Sequence, residues 1–244
     1  MKPIEIIESE VVYKSVGSTQ LQMHLFMMQE PAETTNPRAC ILFFHGGRFI
    51  QGHPAQFYPH CRYFVSRNMV AISAEYRLLG KNATSITACL ADCKSAIRWL
   101  RVHADQLALD PDKIVAAGGS AGANLAANAA MNSSFDESNE DLDIRSQPDA
   151  LVLFSPAIVR PQDDVDLIDE RLFADLTAKP QLPPMLLLHG IDDEFFPAEA
   201  MQDFRDQIAA YGNQCDLKLF SGEKHGFFNY LYFLGGGSEL GLHF

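Results

Sequence analysis

Ser120 lies between glycines in Gly118-Gly119-Ser120-Ala121-Gly122. The apolar run Ile114-Val115-Ala116-Ala117 precedes it, and the helix-like stretch 123–130 follows. A serine at a strand-to-helix junction, flanked by residues small enough for close backbone approach, fits a nucleophile elbow that exposes its hydroxyl. Serine attacks poorly at neutral pH unless a base takes its proton and an anion orients that base. His225, in Gly222-Glu223-Lys224-His225-Gly226-Phe227, directly follows the last apolar strand and is the candidate base. The other seven histidines lack that placement. Three acids, Asp192, Asp193 and Glu194, stand side by side after the strand-like 185–189, and the residues alone leave all three open as the orienting anion. Those not used would cap the next helix or stay solvated. Serine, then acid, then histidine is the chain order such a site takes when the serine sits on an elbow.

An attacked carbonyl becomes an oxyanion and needs preorganised donors. Phe44-His45-Gly46-Gly47-Arg48-Phe49 follows another apolar strand, and its glycines let backbone N–H groups turn toward a substrate. The expected donors are Gly46, Gly47 and, just after the nucleophile, Ala121. Each such donor is worth about 3 kcal/mol of transition-state stabilisation.

The elements that must position these groups are legible as periodic runs. Residues 11–13 and the alternating Leu21, Met23, Leu25 and Met27, separated by Gly17-Ser18-Thr19, predict an antiparallel hairpin. Short apolar runs at 40–44, 69–74, 113–117, 150–154, 185–189 and 215–220 predict strands. Helices are expected over 57–67, 83–108 and 197–211, besides the one after Ser120, with Asp110-Pro111-Asp112 as a turn. Apolar strands alternating with helices imply an α/β fold with a mostly parallel central sheet covered on both faces. Two polar stretches interrupt the pattern, at 132–148 and 161–179. Both are expected as mixtures of solvated excursion and lid, and the second, within 156–184, is the better lid candidate.

The 244 residues suit one domain, and 47% hydrophobic with 20% charged residues suits a globular chain. A net charge of −12 argues against nucleic acid and anionic membrane as partners. The five cysteines, Cys40, Cys61, Cys89, Cys93 and Cys215, form no Cys-x-x-Cys. Cys89 and Cys93, one helical turn apart, are expected as small buried residues rather than a metal pair. Reduced thiols and the lack of a signal-like N-terminus point to the cytoplasm.

In these motifs the chain resembles the α/β-hydrolase superfamily, and within it the esterase/lipase branch related to hormone-sensitive lipase and bacterial acetyl esterases. The resemblance rests on His45-Gly46-Gly47, Glu75-Tyr76-Arg77-Leu78, Asp92 with 96–100, 110–114, Gly119-Ser120-Ala121-Gly122, 190–197 and His225-Gly226-Phe227. It implies the α/β-hydrolase fold and, because the family's acid loop runs Gly-x-x-Asp-x-x-Val-Pro, it selects Asp193, with Phe196 in the valine place. The family usually has a third glycine where this chain has Arg48, which is expected to pair with a surface acid, contact with a substrate oxygen being the alternative.

The resemblance implies a carboxylic-ester hydrolase with a Ser120-His225-Asp193 triad, an acyl-enzyme and neither metal nor cofactor. Without an N-terminal helical cap, short acyl esters, acetyl above all, are the expected small-molecule substrates. Arg48, Phe49, Tyr76 and Phe195, with Phe57 and Tyr58, are candidates for lining the pocket. The tail 231–244 is atypical, because relatives place a helix there. If that helix is missing, an apolar patch is left that a homodimer would cover. Two alternatives stay open: an amidase or peptidase on the same triad, and a ligand-binding protein on the same scaffold.

Overall fold

The computed structural model describes residues 5–29, 37–83, 85–158 and 179–229. The chain opens with the hairpin β1 (Ile6–Val16) and β2 (Thr19–Met28). There follow β3 (Arg38–Phe44), a 3₁₀ turn (Pro54–Phe57), α1 (Tyr58–Val65), β4 (Val70–Ala74) and α2 (Ile86–Val102). After these come β5 (Leu109–Gly119), α3 (Ala121–Met131), β6 (Ala150–Phe154), β7 (Met185–Gly190), α4 (Ala198–Ala210) and β8 (Cys215–Phe220).

Among the described residues, eight strands form one sheet in the order β1-β2-β4-β3-β5-β6-β7-β8. β2 runs antiparallel to both neighbours, and every other pairing is parallel. The expected mostly parallel sheet with an N-terminal antiparallel hairpin is therefore present. The strands alternate between two buried faces. Cys40, Leu42, Phe44, Val70, Ile72, Ala116 and Leu153 join one core with α2, α3 and α4. Ile41, Phe43, Ala71, Ala117 and Phe154 join a second core with Phe57, Cys61 and Val65 on the α1 side. Near-continuous apolar strands arise because both sides of the sheet are covered.

Three local expectations are corrected. The long helix ends at Val102 rather than near 108, because His103 leaves helical backbone (φ −101, ψ 16) and its ring nitrogen bonds the Trp99 carbonyl at 2.8 Å. Asp110-Pro111-Asp112 belongs to β5 rather than to a separate turn, because Leu109 already pairs with Arg38. An Asx-type bond from the Asp112 N–H to Asp110 Oδ1 survives inside the strand. The polar stretch 132–148 carries no regular helix or strand; three of its five acids turn inward, while Asp141 and Asp143 stay exposed. Asp136 meets Lys94 and Arg98, Glu140 meets Arg98, and Glu137 meets Lys14 and Arg77. These ion pairs fasten the stretch to α2 and the hairpin.

The lid candidate falls mainly on residues 159–178 and the tail on 231–244, outside the described residues. Among the described residues, no helix is long and apolar enough to cross a membrane. All five cysteines are unpaired, and burial pushes Cys89 up to about 12 and Cys93 well above the ordinary thiol range.

Candidate active site

The carboxyl ends of β3, β5, β7 and β8 carry the loops that hold the candidate groups, which is where open α/β sheets place their sites. Ser120 links β5 to α3 with φ +52 and ψ −115, a conformation that costs a non-glycine residue about 1–3 kcal/mol. Crowding explains the glycines around it. A Cβ on Gly122 would lie 2.1 Å from the Phe44 carbonyl oxygen, and one on Gly119 would lie 2.4 Å from the Phe228 ring. The strain is held by the sheet, since the Ser120 N–H donates to Phe154 O at 2.9 Å. The serine remains partly exposed.

Asp193 follows β7 in a turn that fixes both carboxylate oxygens. Oδ1 accepts the N–H groups of Phe195 (2.9 Å) and Phe196 (3.0 Å), and Oδ2 accepts His225 Nδ1 at 2.8 Å. Burial pushes the carboxyl upward, but the His225 bond and charge and the two amides outweigh it, so Asp193 sits below the ordinary carboxylate range. An ionised carboxylate can only accept, so His225 donates from Nδ1, and Nε2 is the ring nitrogen turned to other partners.

Phe195 and Phe196 pack on the imidazole with centroids at 5.0 and 5.5 Å. Glu194 Oε2 accepts the His225 N–H at 3.2 Å, so Glu194 holds this loop rather than staying merely solvated. Asp192 is exposed. His189 lies behind the acid, its Nε2 donating to Phe196 O at 3.0 Å and standing 3.7 Å from Asp193 Oδ2. Burial lowers its pKa.

The His45-Gly46-Gly47 loop passes beside the elbow. A Cβ on Gly46 would lie 3.5 Å from Ser120 Cβ. Tyr76, 2% exposed, stacks on His45 at 4.3 Å and donates to His45 O at 2.8 Å, so it supports the loop from within the core. Burial brings His45 down to about 4, and the neutral ring donates from Nδ1 to Gly46 O at 2.8 Å.

One expected donor is already engaged: the Gly46 N–H bonds Gln56 Oε1 at 2.7 Å, leaving Gly47 and Ala121 as candidates for the oxyanion. Ala121 is the first residue of α3, where an N–H has no partner within the helix. Arg48, in place of the family's third glycine, has φ +56 and is exposed. Of the pocket candidates, Phe195 is 56% exposed against His225, while Phe49 and Phe57 are buried. Tyr58 bonds His24 at 2.8 Å, packing toward the hairpin.

The site therefore brings a strained serine, an imidazole whose Nδ1 is tied to Asp193, and that buried carboxylate to one rim of the sheet. Among the described residues Ser120 Oγ has no hydrogen bond to His225. Catalytic contacts of this kind often tighten only when substrate binds.

A protein-family model described as BD-FAE matches residues 27–159, more than half of the chain, and one of the dienelactone hydrolase family matches 174–232. Esterase 2 of Thermogutta terrifontis, phosphorylated by paraoxon, superposes with a TM-score of 0.84 and 38% identity over 91% of this chain and 85% of that one. The chain belongs to the α/β-hydrolase esterase/lipase family. The same esterase in butyrate-bound form matches this α/β-hydrolase with a TM-score of 0.81 and 38% identity, covering 91% and 86%. A curated relative from Arabidopsis thaliana, "Probable isoprenylcysteine alpha-carbonyl methylesterase ICMEL1", is 23% identical across 90% of the chain. The chain spans about half (51%) of that relative's length.

Proposed function

We propose that the protein is a serine carboxylic-ester hydrolase acting on short-chain acyl esters of small alcohols. The observation that carries this reading is the 2.8 Å bond from His225 Nδ1 to Asp193, which leaves Nε2 as a base at the rim where Ser120 stands.

His225 Nε2 takes the Ser120 proton as Oγ attacks the ester carbonyl. The Gly47 and Ala121 N–H groups receive the oxyanion, in a loop made rigid by Tyr76 and His45. The imidazolium, stabilised by Asp193, then protonates the leaving alcohol. Water, activated by the same Nε2, hydrolyses the acyl-enzyme and releases the acid.

Short acyl groups are favoured because a Thermogutta terrifontis relative is described with propionate and with butyrate bound. The paraoxon adduct of that relative supports a nucleophilic attack of the same kind here. Phe195, exposed and edge-on to the imidazole, is the side chain best placed to contact an acyl or alcohol group.

The reading is tested by kcat/KM for p-nitrophenyl acetate, propionate, butyrate and decanoate, with matched anilides alongside. A maximum among the three short esters is expected, with the anilides far slower. Equal rates on decanoate would refute the short-chain part, and faster anilides would make the protein an amidase. No turnover with reversible binding would make it a binding protein.

A further inference from the structure

Gln56 joins two segments that the proposed mechanism needs and that lie far apart in the chain. Its Oε1 accepts the Gly46 N–H at 2.7 Å, and its Nε2 donates to Asn229 Oδ1 at 2.8 Å across 173 residues. Asn229 in turn donates from Nδ2 to Gly226 O at 3.0 Å, and its backbone N–H reaches the same oxygen at 2.9 Å. The amide orientations follow from one another. The Gly46 N–H demands an oxygen, which turns Nε2 toward Asn229, whose own NH₂ then faces the carbonyl next to His225.

The neighbouring residues repeat the connection in apolar form. Phe57 stacks on Phe228 at 5.9 Å and on Phe43 at 4.8 Å. Phe228 is the ring that a Cβ on Gly119 would strike, so it lies directly beneath the nucleophile turn. The 3₁₀ turn that carries Gln56 is tied down separately, by Ser73 Oγ donating to Pro54 O at 2.8 Å and by its buried Phe57. The turn would thus keep its place without the Gln56 amide, while the Gly46-Gly47 peptide and the His225 loop would lose their common anchor.

We infer that Gln56 is a positioning residue that holds the oxyanion loop and the His225 loop in one register through Gly46 and Asn229. This rests on the Ser120-His225 hydrolase reading. It assigns the Gly46 N–H to structure and leaves Gly47 and Ala121 to meet the oxyanion. A loop displacement on the order of 1 Å costs about 100-fold in rate, because the effect falls on alignment rather than on binding.

The test is a double-mutant cycle of Gln56→Met and Asn229→Ala, assayed with p-nitrophenyl butyrate beside Ser120→Ala. Gln56→Met should lower kcat by about 10- to 100-fold with KM within about threefold. Its melting temperature should stay within about 3 °C of wild type. Asn229→Ala should lower kcat similarly, and the double variant should be no slower than the slower single one, because both break the same link. Wild-type kcat in Gln56→Met, fully multiplicative losses, or a kcat loss matched by a large drop in melting temperature would each overturn the positioning role. If Ser120→Ala is inactive in that case, the hydrolase reading stands without it. If Ser120→Ala turns over normally, the hydrolase reading itself fails, and this inference with it.

Discussion

Asp193 divides its two oxygens between the backbone and His225: Oδ1 is held by the Phe195 and Phe196 amides, and Oδ2 takes the imidazole Nδ1–H at 2.8 Å. The division decides what an amide would do in its place. In Asp193→Asn the carbonyl oxygen must keep facing the two backbone donors, so the NH₂ faces His225. The imidazole then has to accept at Nδ1 and carry its proton on Nε2, where it cannot receive the serine proton. kcat should fall by about 10⁴-fold with the fold intact. Steady-state kinetics and circular dichroism check it; a loss below tenfold would separate Asp193 from the chemistry.

Gly122→Ala tests the packing behind the nucleophile. The added methyl would sit 2.1 Å from Phe44 O and 2.5 Å from His45 O, both backbone atoms at the end of a central strand. β3 and α3 would have to separate. The expected outcome is a loss of about 3 kcal/mol or more in stability, and kcat lower by about 100-fold in whatever remains folded. Urea unfolding gives the first and active-site-titrated kinetics the second.

The serine, the histidine and most strands were legible because each has a local cause: glycines where backbones touch at Gly119 and Gly122, and apolar runs where both sheet faces are covered. Asp193 was not separable from Asp192 and Glu194 by residue type. The family pattern selects it, and in the structure it is the acid whose Oδ2 meets His225 while its Oδ1 meets two amides. Gln56 left no local mark, since its partners Gly46 and Asn229 lie 10 and 173 residues away. The same holds for the polar stretch after α3, whose acids looked solvated until α2 supplied Lys94 and Arg98.

That ion-paired stretch yields a stability prediction. Asp136 joins Lys94 Nζ at 3.0 Å and also Arg98, both cations being buried. Asp136→Ala leaves two buried cations short of a partner and should cost about 3 kcal/mol. The kcat of the folded protein should be unchanged, since the pair lies away from the serine rim. Chemical denaturation at pH 7 measures the first effect, and a kcat change of tenfold would contradict the second.

The pH dependence of stability should show two stages. Burial pushes His45 and His60 down to about 4, so both are neutral in the folded chain at mid pH. The unfolded chain takes up these protons near 6.5. Their stabilisation is therefore complete above that pH and is lost as the pH falls toward 4, at up to about 1.4 kcal/mol per pH unit for each ring. Asp136, Glu137 and Asp193 are held below the ordinary carboxylate range despite burial, by the cations and donors around them, so their contribution fails only at lower pH. His24 and His189, also lowered by burial, act in the same direction, so unfolding free energies should fall as the pH drops from about 6.5 toward 4, and the slope should be shallower in His60→Phe by that ring's share. A flat profile over that range would contradict it.

The most direct measurement is the turnover of Ser120→Ala on p-nitrophenyl butyrate, with intact-mass analysis of both proteins after exposure to paraoxon. The account predicts a kcat lower by about 10⁶-fold, and a single phosphoryl adduct on the wild-type protein that the variant lacks. Turnover by the variant within tenfold of wild type, or an equal adduct on both proteins, would contradict it.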